Sequence, residues 1–153
     1  MRVWRICRER YAADPLSGRG GLVVSGRWAT KGRRVVYTSG SLSLASLEFL
    51  VHVDRVLLPP DLVQVEVDVP DRIPASEIDV VSLPKGWRDH PAPTTLRAFG
   101  DAWLVEGTTA ILRVPSAVIP EESNVLLNPD HPHANKFDVV SRRAFEYDRR
   151  LSG

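Results

Sequence analysis

The sequence predicts an α+β fold in which a mixed β-sheet packs against flanking helices. Segments with a strand pattern outnumber those with a helix pattern, and the two types do not alternate along the chain as they do in doubly wound α/β proteins. The length of 153 residues lies within the range of one domain, and no internal repeat indicates a solenoid or a propeller. We therefore expect a single domain over residues 1–153.

Three predicted elements and one long loop lie in the first third of the chain. Residues 3–7 and 34–38 are rich in β-branched and aromatic side chains, which favours strands. Between them, residues 12–34 contain five glycines among basic residues and predict a long loop, a kind of segment that often carries function. Ser39 or Ser41 is placed to cap a helix that continues to about residue 53.

The later elements follow from alternation and from residues that begin or end helices. Valines at alternate positions over 63–69 predict a half-buried strand. Thr94 or Thr95 begins a predicted helix, and Gly107 is placed to end it. The remaining predicted segments are a turn-rich stretch over 70–93 with one helical turn near 76–80, a strand over 109–114, a turn-rich stretch over 115–132, and a closing strand over 139–147.

Composition excludes several classes of protein. No apolar run is long enough to span a bilayer, and residues 1–5 lack the apolar core of a secretion signal, so we expect a cytoplasmic protein without a membrane partner. Cys7 is the single cysteine, which excludes an internal disulfide and any zinc site made of several cysteines. Its apolar neighbours favour a buried small side chain over a nucleophile.

The charge is unevenly distributed along the chain. The formal net charge is +1, yet residues 1–40 carry a net +7 and residues 41–153 a net −6. Seventeen of the 20 basic residues are arginines, whose planar guanidinium binds phosphate through paired hydrogen bonds. The pattern indicates a polyanionic ligand that contacts the first quarter of the chain. Codon usage is the alternative explanation for the excess of Arg over Lys.

Two short patterns are weak signals. Gly18-Arg19-Gly20-Gly21 resembles half of a phosphate-binding loop, but no strand and helix flank it in the required order. His131 and His133 are of a residue type that binds metals, yet no third ligand is evident near them in the sequence. Surface loop histidines are the simpler interpretation, and no metal is expected.

More informative residues lie where predicted elements meet. Arg27 is in the basic loop, and Tyr37 is at the end of the strand that follows. Glu48 interrupts an apolar helix stripe, so it is either a helix-edge residue that reaches water or a partly buried acid with a specific partner. Ser116 follows a predicted strand, where a hydroxyl either faces a cleft or belongs to an ordinary turn.

Short motifs occur in a fixed order along essentially the whole chain. They are Trp4-Arg5-Ile6, Gly26-Arg27-Trp28, Lys31-Gly32, Val36-Tyr37-Thr38-Ser39, Ala45-Ser46-Leu47-Glu48, Leu112-Arg113-Val114-Pro115-Ser116, Asn124-Val125-Leu126-Leu127-Asn128-Pro129-Asp130-His131-Pro132 and Phe145-Glu146-Tyr147-Asp148-Arg149-Arg150-Leu151. Each motif is short, but together they are specific, and in this order they resemble the RES domain family, which is named for its Arg, Glu and Ser.

The resemblance implies a fold related to ADP-ribosyltransferases and an enzyme that splits NAD between nicotinamide and ribose, with water or phosphate as the acceptor. Members of the family are toxins of bacterial toxin–antitoxin pairs that deplete cellular NAD. Matched position by position, the family motifs imply two groups of site residues. For Trp28, a purely structural role is the alternative. The catalytic group is Arg27, Tyr37, Glu48 and Ser116, and the substrate-binding group is Arg5, Trp28 and Asn128.

The implied chemistry suits these residue types. Cleavage passes through an oxocarbenium-like transition state, which a nearby carboxylate such as Glu48 stabilises. Nicotinamide leaves as a neutral ring, so the reaction needs no general acid and no cofactor, with NAD as substrate and inorganic phosphate as a possible co-substrate. Arg5 and Arg27 would bind phosphate groups, Tyr37 would stack on or hydrogen-bond to the nicotinamide riboside unit, and Ser116 would hydrogen-bond to the ribose or the carboxamide.

Other functions stay open on the sequence alone. ADP-ribosyl transfer to a protein keeps the fold and changes the acceptor, and a chain without activity would act only as an interaction subunit. Direct binding of nucleic acid is disfavoured by the net charge of +1 and the aromatic content of 7%. The resemblance also implies an Xre-like helix-turn-helix antitoxin as partner, whose C-terminal part enters the cleft, and it allows a homodimer within that complex.

Overall fold

The strands form one sheet in the computed structural model, which describes residues 1–152. They are β1 (Arg2–Arg8), β2 (Val36–Ser39), β3 (Leu62–Asp68), β4 (Ala75–Glu77), β5 (Ile111–Pro115), β6 (Ser123–Leu127) and β7 (Asp138–Ala144). Their order across the sheet is β4-β5-β6-β2-β1-β3-β7. β4 and β5 run parallel and the other neighbours antiparallel. The sheet is therefore mixed, which confirms the α+β prediction.

Helices lie between the strands. The α-helices within the described range are α1 (Glu9–Ala12), α2 (Gly20–Val23), α3 (Leu42–Leu50) and α4 (Arg97–Glu106), and 3-10 turns span Val80–Ser82, Thr94–Leu96, Pro132–Lys136 and Arg149–Leu151. The Ser41 hydroxyl caps α3 by accepting from the Leu44 amide at 3.1 Å. Gly107 ends α4 with a φ of 60°, so both predicted helix signals are confirmed. No helix within residues 1–152 has the length and apolar character needed to cross a membrane.

Several predicted boundaries and elements differ from those of the structure. α3 ends at Leu50 instead of near residue 53, and β7 ends at Ala144 instead of at 147. Residues 75–77 form β4 instead of a helical turn, because β5 supplies their ladder partners, and the turn follows at Val80–Ser82. β6 lies within a stretch predicted as turns; it forms because both of its neighbours, β5 and β2, pair with it. The predicted loop over 12–34 contains α2.

Alternation along the strands sends side chains to two faces of the sheet. One face carries the first core cluster, and the other carries the second and third clusters. Representative members are Val3, Cys7, Val65 and Val67 for the first, Trp28, Trp103, Leu112 and Leu126 for the second, and Ile6, Ala45, Leu50 and Leu62 for the third. Burial of Cys7 in the first cluster confirms its prediction as a small core side chain.

The loop between α2 and β2 is attached to α4. Thr30 donates its backbone amide and its hydroxyl to the two carboxylate oxygens of Asp101, at 2.9 and 2.6 Å. α4 approaches the loop so closely that a Cβ added to Gly100 would lie 2.0 Å from the Trp28 carbonyl oxygen. These contacts fix the position of residues 26–28 relative to the sheet.

Candidate active site

A cavity of about 630 Å³ opens on the face of the sheet that carries the second and third core clusters. This volume is typical of small-molecule sites. Its wall includes aromatic and aliphatic side chains from both the second and the third core clusters. β1, β2, β6, α3, the loop before β2 and the segment before α4 all contribute to it. The polar residues that line it include Arg27, Tyr37, Ser39, Glu48, Arg97 and Asn124.

The carboxylate of Glu48 reaches the cavity from α3. Its Oε1 atom accepts two hydrogen bonds, from the Ser116 hydroxyl at 2.7 Å and from Asn124 Nδ2 at 2.6 Å. Within residues 1–152, Oε2 has no hydrogen-bond partner. Of the two interpretations of Glu48, the structure supports the partly buried acid with specific partners. One oxygen is fixed, and the other remains available to a ligand.

Ser116 supports Glu48 from behind and does not line the cavity. Its side chain is fully buried. The hydroxyl oxygen accepts from the backbone amides of Val118 and Ile119, both at 3.0 Å. With those two bonds accepted, the hydroxyl proton points to Glu48. The geometry therefore gives Ser116 a contact with the carboxylate and not with a molecule in the cavity.

The guanidinium of Arg27 is held by backbone carbonyls at the cavity wall. It donates to the Trp87 oxygen at 2.7 Å and to the Asp89 oxygen at 3.2 Å. Burial lowers the pKa of Arg27, and the nearby carboxylates of Glu48 and Asp89 oppose that shift. Within the described part of the chain no carboxylate forms an ion pair with Arg27 at 4.0 Å or less. Its charge is thus available to an anion.

The Tyr37 hydroxyl is buried in the wall with no hydrogen-bond partner among residues 1–152. Gly26 makes room for it, because a Cβ at Gly26 would lie 2.3 Å from the hydroxyl oxygen. Burial raises the pKa of Tyr37 to about 12, and the nearby backbone amides of Trp28 and Ala29 partly offset the shift. The phenol is therefore neutral at ordinary pH, and its hydroxyl lies behind the cavity surface without an acceptor among residues 1–152.

Stability at alkaline pH should report this buried phenol. The unfolded chain releases the Tyr37 proton near pH 10, whereas the folded protein holds it to about pH 12. The stabilising contribution is therefore complete below about pH 10 and is lost as the pH rises toward 12. Urea unfolding at pH 9 and pH 11 should show a smaller decline for Tyr37→Phe than for the unmodified protein. Burial also raises the pKa of Tyr147 to about 12 and raises the pKa of Cys7, so both contribute to the decline that remains. Equal declines in both proteins would contradict the assignment to Tyr37.

One protein-family model matches almost the whole chain, including the motif residues of the cavity. The family model described as the RES domain matches residues 2–149. The chain belongs to the RES domain family. This confirms the resemblance read from the sequence, and the motif residues Arg27, Glu48 and Ser116 are those already placed at or behind the cavity.

Similar proteins support the same membership. The RES domain is 41% identical to the "Prs ADP-ribosylating toxin" of Sphingobium sp., over 97% of this chain and 94% of that protein. It is 36% identical to "Toxin Res" of Photorhabdus laumondii subsp. laumondii, over 99% of this chain and 97% of that protein. A chain from the crystal structure of the M. tuberculosis MbcT–MbcA toxin–antitoxin complex has the same fold, with a TM-score of 0.73, 15% identity, and coverage of 94% of this chain and 83% of that one.

The structure does not bring the Arg5 guanidinium together with Glu48. Arg5 is part of the cavity wall, but it lies directly opposite Val65 in the β1–β3 register, and Val65 belongs to the first core cluster on the other face. The guanidinium donates to the Pro15 carbonyl at 2.6 Å. Burial lowers the pKa of Arg5, and Cys7 on the same face opposes the shift. Strand alternation thus directs this cation away from the cavity.

Asn128 also lies outside the cavity. It follows β6, its backbone amide donates to the Ala110 carbonyl at 2.9 Å, and its side-chain oxygen accepts from the Asp130 amide at 3.0 Å. These contacts stabilise a turn. Trp28 is buried at the cavity wall and packs edge-on against Phe99, with ring centroids 6.4 Å apart. It therefore both lines the cavity and belongs to the hydrophobic core.

The basic excess of residues 1–40 does not form one site. Arg2, Arg8 and Arg34 make ion pairs with acids from other parts of the chain, respectively with Glu66 and Asp68, with Asp61, and with Asp130. The glycines of the 18–21 motif contribute to the region around α2 and are not in the cavity wall. Arg33 pairs with Asp101 at 3.8 Å, so four of the nine basic residues in this segment form ion pairs within residues 1–152.

Two polar residues of the site were missed by the sequence analysis. Arg97 begins α4 and donates from Nε to the Gly26 carbonyl at 3.3 Å. Asn124 is the second residue of the unpredicted β6. A strand prediction over 123–127 would have placed Asn124 beside the end of β5. For Arg97, the sequence offers only its position at a helix start.

The rings of His131 and His133 pack 5.1 Å apart, and no metal-binding group of three or more His, Cys, Asp or Glu occurs within residues 1–152.

Proposed function

We propose that this RES domain is the toxin of a toxin–antitoxin pair and that it cleaves NAD at the bond between nicotinamide and ribose. The proposal rests on one observation above all. A carboxylate with one fixed oxygen and one available oxygen shares a cavity with the guanidinium of Arg27, which forms no ion pair at 4.0 Å or less within residues 1–152. Relatives named "Toxin Res" and a structural neighbour from a toxin–antitoxin complex support the biological setting.

The available oxygen of Glu48 suits the electronic demand of the reaction. When the nicotinamide–ribose bond breaks, positive charge develops on the sugar carbon and its ring oxygen, and the nicotinamide leaves as a neutral ring. A fixed negative charge close to the sugar lowers the energy of that state more than the energy of bound NAD. Oε2 would accept a hydrogen bond from a ribose hydroxyl and so keep the carboxylate near the reacting carbon.

Arg27 and Arg97 suit the pyrophosphate of NAD, or a phosphate acceptor. Both line the cavity, both are anchored to backbone carbonyls, and neither forms an ion pair within the described residues. Guanidinium groups held in this way need little rearrangement to receive an anion. Tyr37 lines the cavity while its hydroxyl is buried, so its ring would contact the nicotinamide riboside unit.

The direct test is incubation of the purified protein with NAD, with and without inorganic phosphate. Mass spectrometry should show free nicotinamide in both cases if water is an acceptor, and a phosphorylated ADP-ribose product only with phosphate if phosphate is the acceptor. Intact NAD after prolonged incubation, with a folded protein, would contradict the proposal. Phosphate-dependent nicotinamide release would identify a phosphorylase.

Removal of the Arg27 charge should weaken substrate binding. Arg27→Ala is expected to raise the KM for NAD about 10-fold or more, because the variant loses charge-assisted hydrogen bonds to phosphate. Arg19→Ala is the matched control, since Arg19 belongs to the same basic segment and is exposed outside the cavity. Steady-state kinetics of both variants would decide the point. A fall in kcat with unchanged KM would instead place Arg27 in the chemical step.

ADP-ribosyl transfer to a protein is the second candidate. It is favoured by the Sphingobium relative, which is named as a "Prs ADP-ribosylating toxin" and is 41% identical to this chain. The same cavity would form the same sugar cation, and a protein side chain would replace water or phosphate as the nucleophile. NAD labelled in the adenosine moiety separates the two, because transfer leaves the label on a macromolecule and cleavage leaves it only on small products.

An antitoxin would have to restrain this activity. We expect a co-expressed helix-turn-helix partner to block the cavity with a segment that carries a carboxylate, because Arg27 and Arg97 give the wall an excess of positive charge. Addition of the neighbouring gene product should reduce NAD cleavage in proportion to complex formation. Full activity in a stable complex would reject occlusion.

A further inference from the structure

Asn124 occupies a position in the sheet that links the cavity to its only lining carboxylate in the described chain, Glu48. In β6 it lies opposite Ser39 of β2 on one side and opposite Val114 of β5 on the other. β5 then ends at Pro115 and leads directly to Ser116. One donor to Glu48 therefore comes from β6 and the other from the residue that follows the neighbouring strand β5, whereas Glu48 itself comes from α3.

The direction of each hydrogen bond in this group is determined. A carboxylate only accepts, so the Asn124 amide must turn its Nδ2 toward Glu48 Oε1, at 2.6 Å. Its Oδ1 then faces the Ser39 hydroxyl at 2.8 Å, which must donate. Ser39 thus fixes the orientation of the amide, and the amide fixes one oxygen of the carboxylate.

We infer that Asn124, oriented by Ser39, is a positioning residue for Glu48. Together with Ser116 it occupies Oε1, so that the carboxylate presents Oε2 to the cavity. A single donor would leave the carboxylate free to rotate about that bond; two donors, from β6 and from the residue after β5, restrict its plane. This inference rests on the proposed function, because it concerns the same site.

Electrostatics explain why an amide suits this place. An aspartate has the same shape, but it would bring a second negative charge to within hydrogen-bond distance of Glu48 and could not donate when ionised. The cations of the cavity, Arg27 and Arg97, lie on the loop and on α4, and neither donates to Oε1. The asparagine donor therefore has no replacement in the wall.

Kinetics on three variants test the inference. Asn124→Leu keeps the approximate size and removes the donor, and it should lower kcat about 10- to 100-fold, a range typical for residues that orient a functional group. The KM for NAD should change by less than about threefold, since Asn124 acts through Glu48. Ser39→Ala should give a smaller loss of kcat, because the amide remains and only its orientation is released. Asn135→Asp, an exposed change outside the cavity, should leave kcat and KM unaltered.

A double-mutant cycle separates positioning from direct action. In a Glu48→Gln background, where the charge is already absent, Asn124→Leu should cause little additional loss. The same fold loss in both backgrounds would overturn the inference, as would a raised KM with unchanged kcat, which would make Asn124 a substrate-binding residue. If Asn124→Leu does not fold, Ser39→Ala in the two backgrounds gives the same comparison.

A crystal structure of Asn124→Leu provides a readout that does not depend on activity. The Glu48 carboxylate should leave its place beside Ser116 or rotate, and an unmoved carboxylate would overturn the inference even if NAD cleavage proves to be the wrong reaction. Conversely, a displaced carboxylate in a protein that does not cleave NAD would sustain the positioning role and reject the proposed function.

Discussion

Replacement of Glu48 by glutamine is expected to lower the rate of NAD cleavage about 100- to 1000-fold, the effect of removing a main electrostatic stabiliser of a transition state. Glutamine keeps the shape of the side chain and an oxygen that accepts from Ser116 and Asn124. The fold and the affinity for NAD should therefore survive. Only the negative charge beside the developing sugar cation is lost.

The measurement is kcat by nicotinamide release, together with the dissociation constant for NAD from calorimetry. Glu121→Gln is the matched control, because Glu121 is exposed and lies outside the cavity; it should behave like the unmodified protein. Equal kcat in Glu48→Gln and in the unmodified protein would show that the charge of Glu48 has no part in catalysis.

Gly100→Ala should be strongly destabilising, although helix propensity alone predicts the opposite. In a helix interior, alanine is favoured over glycine by about 1 kcal/mol. Here the added Cβ would lie 2.0 Å from the Trp28 carbonyl oxygen and 2.9 Å from its carbonyl carbon. Because these are backbone atoms, α4 or the loop must move as a whole. We expect a loss of about 3 kcal/mol in the free energy of unfolding, near the upper end for overpacking, and a melting temperature lower by about 10 °C.

A second glycine serves as the control for this prediction. An added Cβ at Gly20 meets no atom within 4 Å, so Gly20→Ala should leave stability unchanged or raise it slightly. Thermal and urea unfolding of both variants would test the contrast. Since the displaced loop carries Arg27, the folded fraction of Gly100→Ala should also bind NAD more weakly. Equal stability of the two variants would mean that the contact between α4 and the loop relaxes at no cost.

Local signals in the sequence determined much of the fold. The alternating valines of β3, the Ser41 cap of α3 and the glycine that ends α4 each act through contacts within a few residues, and each was predictable for that reason. β4 and β6 were not. Their residues have little strand pattern of their own, and they form because strands distant in the sequence offer hydrogen-bond partners.

The site divides in the same way. The resemblance to the RES family, carried by short motifs in a fixed order along the chain, implied that Arg27, Tyr37, Glu48 and Ser116 form one group. The contacts of each residue follow from the packing of strands and helices. That packing placed Ser116 behind the carboxylate, turned the Arg5 guanidinium to the opposite face, left Asn128 in a turn, and brought Arg97 and Asn124 to the wall. The physical reason is that a side chain's face follows from strand register and helix packing, which join residues that are far apart in the sequence.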